Sequence, residues 1–163
     1  MGDPKKIRRK FSRPGHPWNK ERIEAEGIIL REYGLKNKTE IWKITSRLRD
    51  ITGQAKRLIA THGTQEEKER DEFLAKLRHL GIVSATATLD DVLGITLKQL
   101  LDRRLQTLLV RKQLARTHNQ ARQFIVHGHI RIGEKKVTSP AHLVRVHEEV
   151  AIGFLGRSSL QSP

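Results

Sequence analysis

The sequence predicts an α+β protein: a mostly helical body carrying a small α/β module of two helices followed by a short twisted antiparallel sheet. Three observations predict it. From Ile41 to Leu58 apolar residues recur at alternating spacings of three and four, which places them on one stripe of an α-helix. At Ile130 and Ile132 the period changes to two, with Gly133-Glu134 where a tight turn belongs and Lys135-Lys136-Val137 starting the return, the pattern of a hairpin. Finally, hydrophobic residues make up 36% of the chain but aromatic ones only 4%, so the core is thin, aliphatic and supported by helices.

Taken in order, residues 1–20 read MGDPKKIRRKFSRPGHPWNK and hold seven Lys or Arg against one acid, with three prolines. Such a segment buries too little apolar surface to fold alone. It is expected to be a basic arm, disordered in the free protein. On nucleic acid it would order through Lys5, Lys6, Arg8, Arg9, Lys10 and Arg13, with Phe11 and Trp18 stacking on bases. A helical body follows over 21–95. Asn19 is placed to cap a helix over about 20–33 that ends at Gly34. The stripe Ile41, Ile44, Leu48, Ile51, Ala55, Leu58 predicts the next helix, with Asn37 and Glu40 forming a capping box. Thr64 and Glu67 suggest another capping box, opening a helix that buries Phe73, Leu74, Leu77 and Leu80 and turns its acidic start, EEKERDE, to solvent. A short helix is expected over Leu89–Leu93.

The module is expected over 96–154. Thr96 and Gln99 form a further capping box, starting one helix whose Leu97, Leu100, Leu101, Leu105, Leu108 and Leu109 face the core. Thr117 to Gln120 caps a second helix with Ala121, Phe124 and Ile125 inward, ended by Gly128. After the hairpin, Val144 with Val146 and Val150 with Ile152 predict two more strands around a turn at Glu148-Glu149. A C-terminal tail is expected over 155–163, its final GRSSLQSP, 156–163, fraying.

Charge selects the partner. Lys and Arg number 32 against 18 Asp and Glu, a formal +14, which suits phosphate or an anionic membrane. No apolar run approaches the roughly 20 residues that span a bilayer, and MGDPKKIRRK lacks the apolar core of a signal peptide. The expectation is a soluble, intracellular chain with no membrane partner. The absence of cysteine excludes disulfides and thiolate metal sites. The excess is concentrated: between Arg103 and Lys136 stand Arg103, Arg104, Arg111, Lys112, Arg116, Arg122, Arg131, Lys135 and Lys136, against Glu134 alone. Charge of one sign at that density favours a polyanion lying against it. The helix start at Thr117 adds a positive dipole end, a seat for phosphate, and Arg122 lies one turn beyond His118, on the same side.

Nothing comparable supports catalysis. There is no Gly-rich phosphate loop with its lysine, no nucleophile elbow and no carboxylate pair in an apolar context. His127 and His129 form an H-x-H pair near His142 and His147, but without regular metal-ligand spacing they are read as surface or RNA-facing imidazoles. No enzyme activity, cofactor, metal or small-molecule substrate is expected.

LDRRLQ, LARTHNQARQFIVHGHIRI, KKV-SP and VRVHEEVAI resemble the small RNA-binding module named after ribosomal protein S four. GDPKKIRRKFSRPGHPW, EYGLKNKTEIWK and LDDVLGITLKQLLDRRLQT further resemble the archaeal and eukaryotic-type family of that ribosomal protein. The resemblance implies a primary binder of small-subunit ribosomal RNA, ribosome-bound in the cytoplasm, that nucleates assembly of the subunit body. It also implies a place beside ribosomal protein S five, with an influence on decoding accuracy. Arg103, Arg104, Thr117, His118, Gln120, Arg122, His127, Lys135 and Ser139 fall on the module's RNA-facing motif positions. Bacterial members often carry an N-terminal cysteine zinc site, which does not transfer to this cysteine-free chain. The alternative is an RNA-modifying or RNA-binding factor that uses the same module.

Overall fold

The computed structural model describes residues 11–61 and 63–155. Asn19 caps α1 (Lys20–Glu32), its side chain accepting from the Arg22 amide at 3.0 Å. Asn37 caps α2 (Lys38–Ala60), accepting from the Glu40 amide at 3.3 Å. Half of the expected capping box is missing, because the Glu40 carboxylate turns away from its own helix to Arg104 and Arg122. On α2 the stripe faces inward as expected: Ile41, Ala55 and Leu58 are buried, while Ile44, Leu48 and Ile51 are partly buried against the core.

Helix α3 (Thr64–His79) begins one residue earlier than its sequence suggests. Gly63 occupies the cap with no side-chain bond, so Thr64 is helical rather than capping. The short α4 (Leu89–Leu93) forms, with Thr88 and Asp91 capping each other. Phe73, Leu77, Val92, Ile95 and Leu100 close the larger core of the body over Ala55 and Leu58, and Tyr33, Leu35, Ile41 and Leu101 make a second core beside it.

The single helix expected from Leu97 is two. α5 (Leu97–Asp102) carries the Thr96–Gln99 capping box and gives Leu100 and Leu101 to the body. The chain then extends at Arg104, which bridges Leu143, before α6 (Leu105–Arg111) begins. The break is held by ladder-like bonds: the Leu105 amide donates to the His142 carbonyl at 2.8 Å and the Val144 amide to the Arg103 carbonyl at 3.0 Å. Leucine periodicity continues through such a break unaltered, which is why the pattern reads as one helix.

From Leu105 onward the side chains belong to a separate core of Leu105, Leu108, Leu109, Ala121, Ile125, Ile130, Val144 and Ile152. It is built by α6, α7 (His118–Val126) and a three-stranded antiparallel sheet of order β2-β1-β3. β1 (Ile130–Ile132) pairs with β2 (Lys135–Lys136) through Arg131↔Lys136, and with β3 (Ile152–Phe154) through Ile130↔Phe154 and Ile132↔Ile152. The hairpin is as expected, but the strand pair around Glu148-Glu149 is not. Val146–Val150 is a helical turn, α8, started by the Arg145 amide donating to Glu148 Oε2 at 3.0 Å. Burial raises the Glu148 carboxyl, but this amide bond and the neighbouring His142 and Arg145 outweigh it and lower its pKa overall. That cap beats the β preference of the three valines because only Val144 reaches the core; Val146 and Val150 are exposed.

The expected disordered arm is corrected where it is described. Phe11 packs on Trp42 with ring centroids 6.4 Å apart, beneath Lys43. The Ser12 amide donates to Ser46 Oγ at 3.0 Å, and Arg22 Nη2 donates to the carbonyls of His16 and Pro17. Residues 11–19 are therefore docked on α1 and α2. Lys5, Lys6, Arg8, Arg9 and Lys10, like the frayed tail expected over 156–163, lie outside the described residues.

Candidate nucleic-acid interface

The cations between Arg103 and Lys136 divide into two groups. Arg103 donates to Glu149 at 2.8 Å and to the Val144 carbonyl at 3.1 Å. Arg111 pairs with Asp102 at 2.6 Å, and Lys112 donates to the Glu149 carbonyl. Arg104, 1% exposed, pairs with Glu40 at 2.6 Å, and Arg122 pairs with the other oxygen of the same carboxylate at 2.5 Å. Arg103, Arg104 and Arg122, expected to face RNA, are held in ion pairs that close the fold. Arg104 has no surface to offer a phosphate, and Arg122 reaches Glu40 and Gln106 at the contact between body and module.

The second group is outward. Arg116, Arg131, Lys135 and Lys136 are exposed, and among the described residues none is ion-paired. The fold ties down the backbone of Arg116 and the side chain of Arg131. The Arg116 amide donates to Gln120 Oε1 at 2.8 Å while the Gln120 amide donates to Thr117 Oγ1 at 3.2 Å, so Thr117 and Gln120 together fix the loop entering α7. Arg131 donates Nε to the Phe154 carbonyl and Nη1 to the Gly133 carbonyl, both at 3.0 Å, which pins its guanidinium across the sheet. Lys135 and Lys136 stand on the edge strand of the hairpin. His127 is exposed at the far end of α7, its ring 6.4 Å from that of His129, and His129 meets Phe124 edge-on. Ser139 is exposed in the loop that follows. The arrangement offers pre-placed cations, an N-terminal helix dipole and flat imidazoles, which suits phosphates and bases rather than a reaction.

His118 is a different case. It was expected on the RNA face, but its ring packs against Tyr33 with centroids 6.1 Å apart, and burial lowers its pKa. Tyr33 is in turn pushed up to about 12 by burial and by its hydrogen bond to Asp102. Trp18 is 90% exposed, and Arg13 borders a groove between residues 12–19 and the helices α1 and α2. Its floor holds Glu26, 7% exposed, accepting from Trp42 Nε1 at 3.0 Å. Among the described residues no cluster of three or more His, Cys, Asp or Glu could hold a metal, and no helix is long and apolar enough to cross a membrane.

Sequence reasoning missed the residues that join the two halves: Glu40, Gly34 and Gln106. Gln106 Nε2 donates to the carbonyls of Gly34 and His118, both at 2.9 Å, from a position 1% exposed. A glutamine inside LQTLLV, on a helix buried chiefly through leucines, is a local signal that a polar partner had to dock there. Glu40 offered none, since its partners lie far along the chain.

Residues 103–150 match the family described as the S4 domain, and that match starts where α5 ends and the module's own core begins. Over nearly the full length, the chain is 47% identical to small ribosomal subunit protein uS4 of Methanococcus aeolicus across 163 residues, 99% of this chain and 92% of that one. It is 49% identical across 154 residues to the uS4 protein of Ignicoccus hospitalis, covering 94% of this chain and 93% of the relative. To uS4 of Saccharolobus islandicus it is 47% identical across 163 residues, with 99% and 90% covered.

Proposed function

The chain belongs to the uS4 family of small ribosomal subunit proteins, and from that premise we propose that it is a structural constituent of the small ribosomal subunit that binds ribosomal RNA and catalyses no reaction. The observation that carries this reading is the pairing of full-length similarity to uS4 with a module whose outward cations, Arg116, Arg131, Lys135 and Lys136, are free of acidic partners among the described residues. An RNA-modifying factor that merely borrows the module is less favoured, because the similarity runs through the helical body as well. The finer reading makes the protein a primary binder that nucleates assembly of the subunit body, sits beside ribosomal protein S five and influences decoding accuracy, in the ribosome of the cytoplasm. A net charge of +14 supports early, salt-sensitive capture of RNA.

Filter binding of the full chain to small-subunit ribosomal RNA and to duplex DNA, each across a salt titration, tests the proposal. Preference for the ribosomal RNA is expected. Replacing Arg116, Arg131, Lys135 and Lys136 together by alanine should lower the slope of log affinity against log salt by about three, at roughly 0.7 per phosphate contact. Equal affinity for the two nucleic acids overturns the ribosomal reading.

A further inference from the structure

The helical body and the S4 module have separate hydrophobic cores, yet polar groups cross between them at close range. Glu40, in the first turn of α2, is the centre: one oxygen takes Arg104 from the start of α6 and the other takes Arg122 from α7. Arg104 is 1% exposed, and its Nε and Nη1 find no hydrogen-bond partner among the described residues, so Glu40 is the group that neutralises it. Beside this clasp Gln106 ties the Gly34 carbonyl of the body to the His118 carbonyl of the module. A Cβ at Gly34 would stand 2.6 Å from that of His118. Asp102 adds a second acidic tie, accepting from the Tyr33 hydroxyl at 3.1 Å and pairing with Arg111 at 2.6 Å.

We propose that Glu40 is a positioning residue for RNA binding: by holding Arg104 and Arg122 it locks body and module into one rigid surface, so that basic groups on both engage a single RNA at once. The inference rests on the RNA-binding reading above. It assigns Glu40 no contact with RNA. Its role follows from what the clasp aligns. On the body side the loop that touches the first turn of α7 carries the exposed Lys36, and α2 carries the exposed Lys43 and Arg47; across the contact stand Arg116 and the hairpin lysines. Two binding faces held at a fixed spacing gain affinity because the second engages at high effective concentration, an advantage lost when their relative geometry is no longer fixed. One carboxylate serving two guanidiniums is a brittle form of that lock. No second acid is within ion-pair reach of Arg104 or Arg122 among the described residues.

The test uses the full chain, its Glu40→Gln variant and its Glu40→Asp variant, which keeps the carboxylate. Two probes are compared: small-subunit ribosomal RNA, and a short single-stranded RNA too short to bridge body and module. Dyes on α3 and on the hairpin report the distance between the two halves, and circular dichroism reports helix content. Glu40→Gln should broaden the distance distribution, flatten the salt slope and weaken binding to ribosomal RNA by about tenfold or more, with short-strand affinity nearly unchanged. Glu40→Asp, which keeps a negative charge between the two guanidiniums, should retain a narrower distribution and more of the affinity than Glu40→Gln. Equal loss on both probes, loss of helix content in Glu40→Gln that accounts for its weaker binding, a Glu40→Asp variant no better than Glu40→Gln, or unchanged ribosomal RNA binding despite a broadened distribution would each overturn the role of Glu40. If the unaltered chain itself fails to prefer ribosomal RNA, the RNA-binding reading falls instead.

Discussion

Glu40 shows how much one side chain can hold at the residue scale. Burial raises its carboxyl, but hydrogen bonds from Arg122 and Arg104 and the charges of both outweigh that, and the net shift is downward. A carboxylate whose folded pKa lies below its unfolded one stabilises the fold above the unfolded value, and that contribution is lost as pH falls through the folded one. Acid titration of the free protein should therefore loosen the body–module contact below about pH 4, before the separate cores melt. The dye pair on α3 and the hairpin reads this directly. Glu40→Ala should cost about 3–5 kcal/mol in urea unfolding, the usual consequence of stranding a buried partner charge. Gly34 and Gly133 make a second comparison. Both have positive φ, +56 and +60, but a Cβ would meet His118 at the first and nothing within 4 Å at the second. Gly133→Ala should cost about 1–2 kcal/mol for the left-handed backbone alone, whereas Gly34→Ala should exceed it by roughly 1–3 kcal/mol for overpacking. Equal losses in thermal unfolding would show that the Gly34 contact yields without resistance.

At the scale of elements, the helices differ in what holds them. α2 is long and strongly amphipathic, and its stripe grades from buried Ile41, Ala55 and Leu58 to half-buried Leu48. α3 presents an acidic outer face and depends on Phe73 and Leu77, the latter 2% exposed. Leu77→Ala should thus cost about 2–5 kcal/mol, the range for a buried leucine. Leu48→Ala should cost less than about 2 kcal/mol, because part of its surface is already wet. Chemical denaturation of the two variants ranks them; a larger loss at Leu48 would move the centre of the core toward the middle of α2. α7 separates roles along its length: Ala121 and Ile125 are 0% exposed in the module core, Arg122 belongs to the clasp, and the loop at Arg116–Thr117 faces outward.

At the scale of the whole molecule, three modest, mainly aliphatic cores carry a net charge of +14. Self-repulsion of that size weakens a compact state, and a polyanion that binds only the folded form restores it by mass action. Ribosomal RNA at about 100 times its dissociation constant should stabilise the fold by about 2.7 kcal/mol, seen as a rise in melting temperature that shrinks with added salt. A rise of the same size in high salt would mean that the stabilisation is not electrostatic.

The sequence by itself determined what depends on near neighbours. The α2 stripe, the caps at Asn19, Asn37, Thr96 and Thr117, and the hairpin turn at Gly133 are set by residues within about one helical turn or one tight turn of each other. The resemblance in LARTHNQARQFIVHGHIRI likewise located the module. Only the tertiary structure decided which cations remain outside. Glu40 lies 64 residues from Arg104 and 82 from Arg122, and Glu149 lies 46 from Arg103. Docking alone brings those charges together. A run of Lys and Arg reads as a single basic face because charge is visible in the sequence and its neutralisation is not. Ion pairing at ångström range depends on how whole helices pack, so it divided one apparent RNA face into a clasp that closes the fold and a smaller outward set at Arg116, Arg131, Lys135 and Lys136.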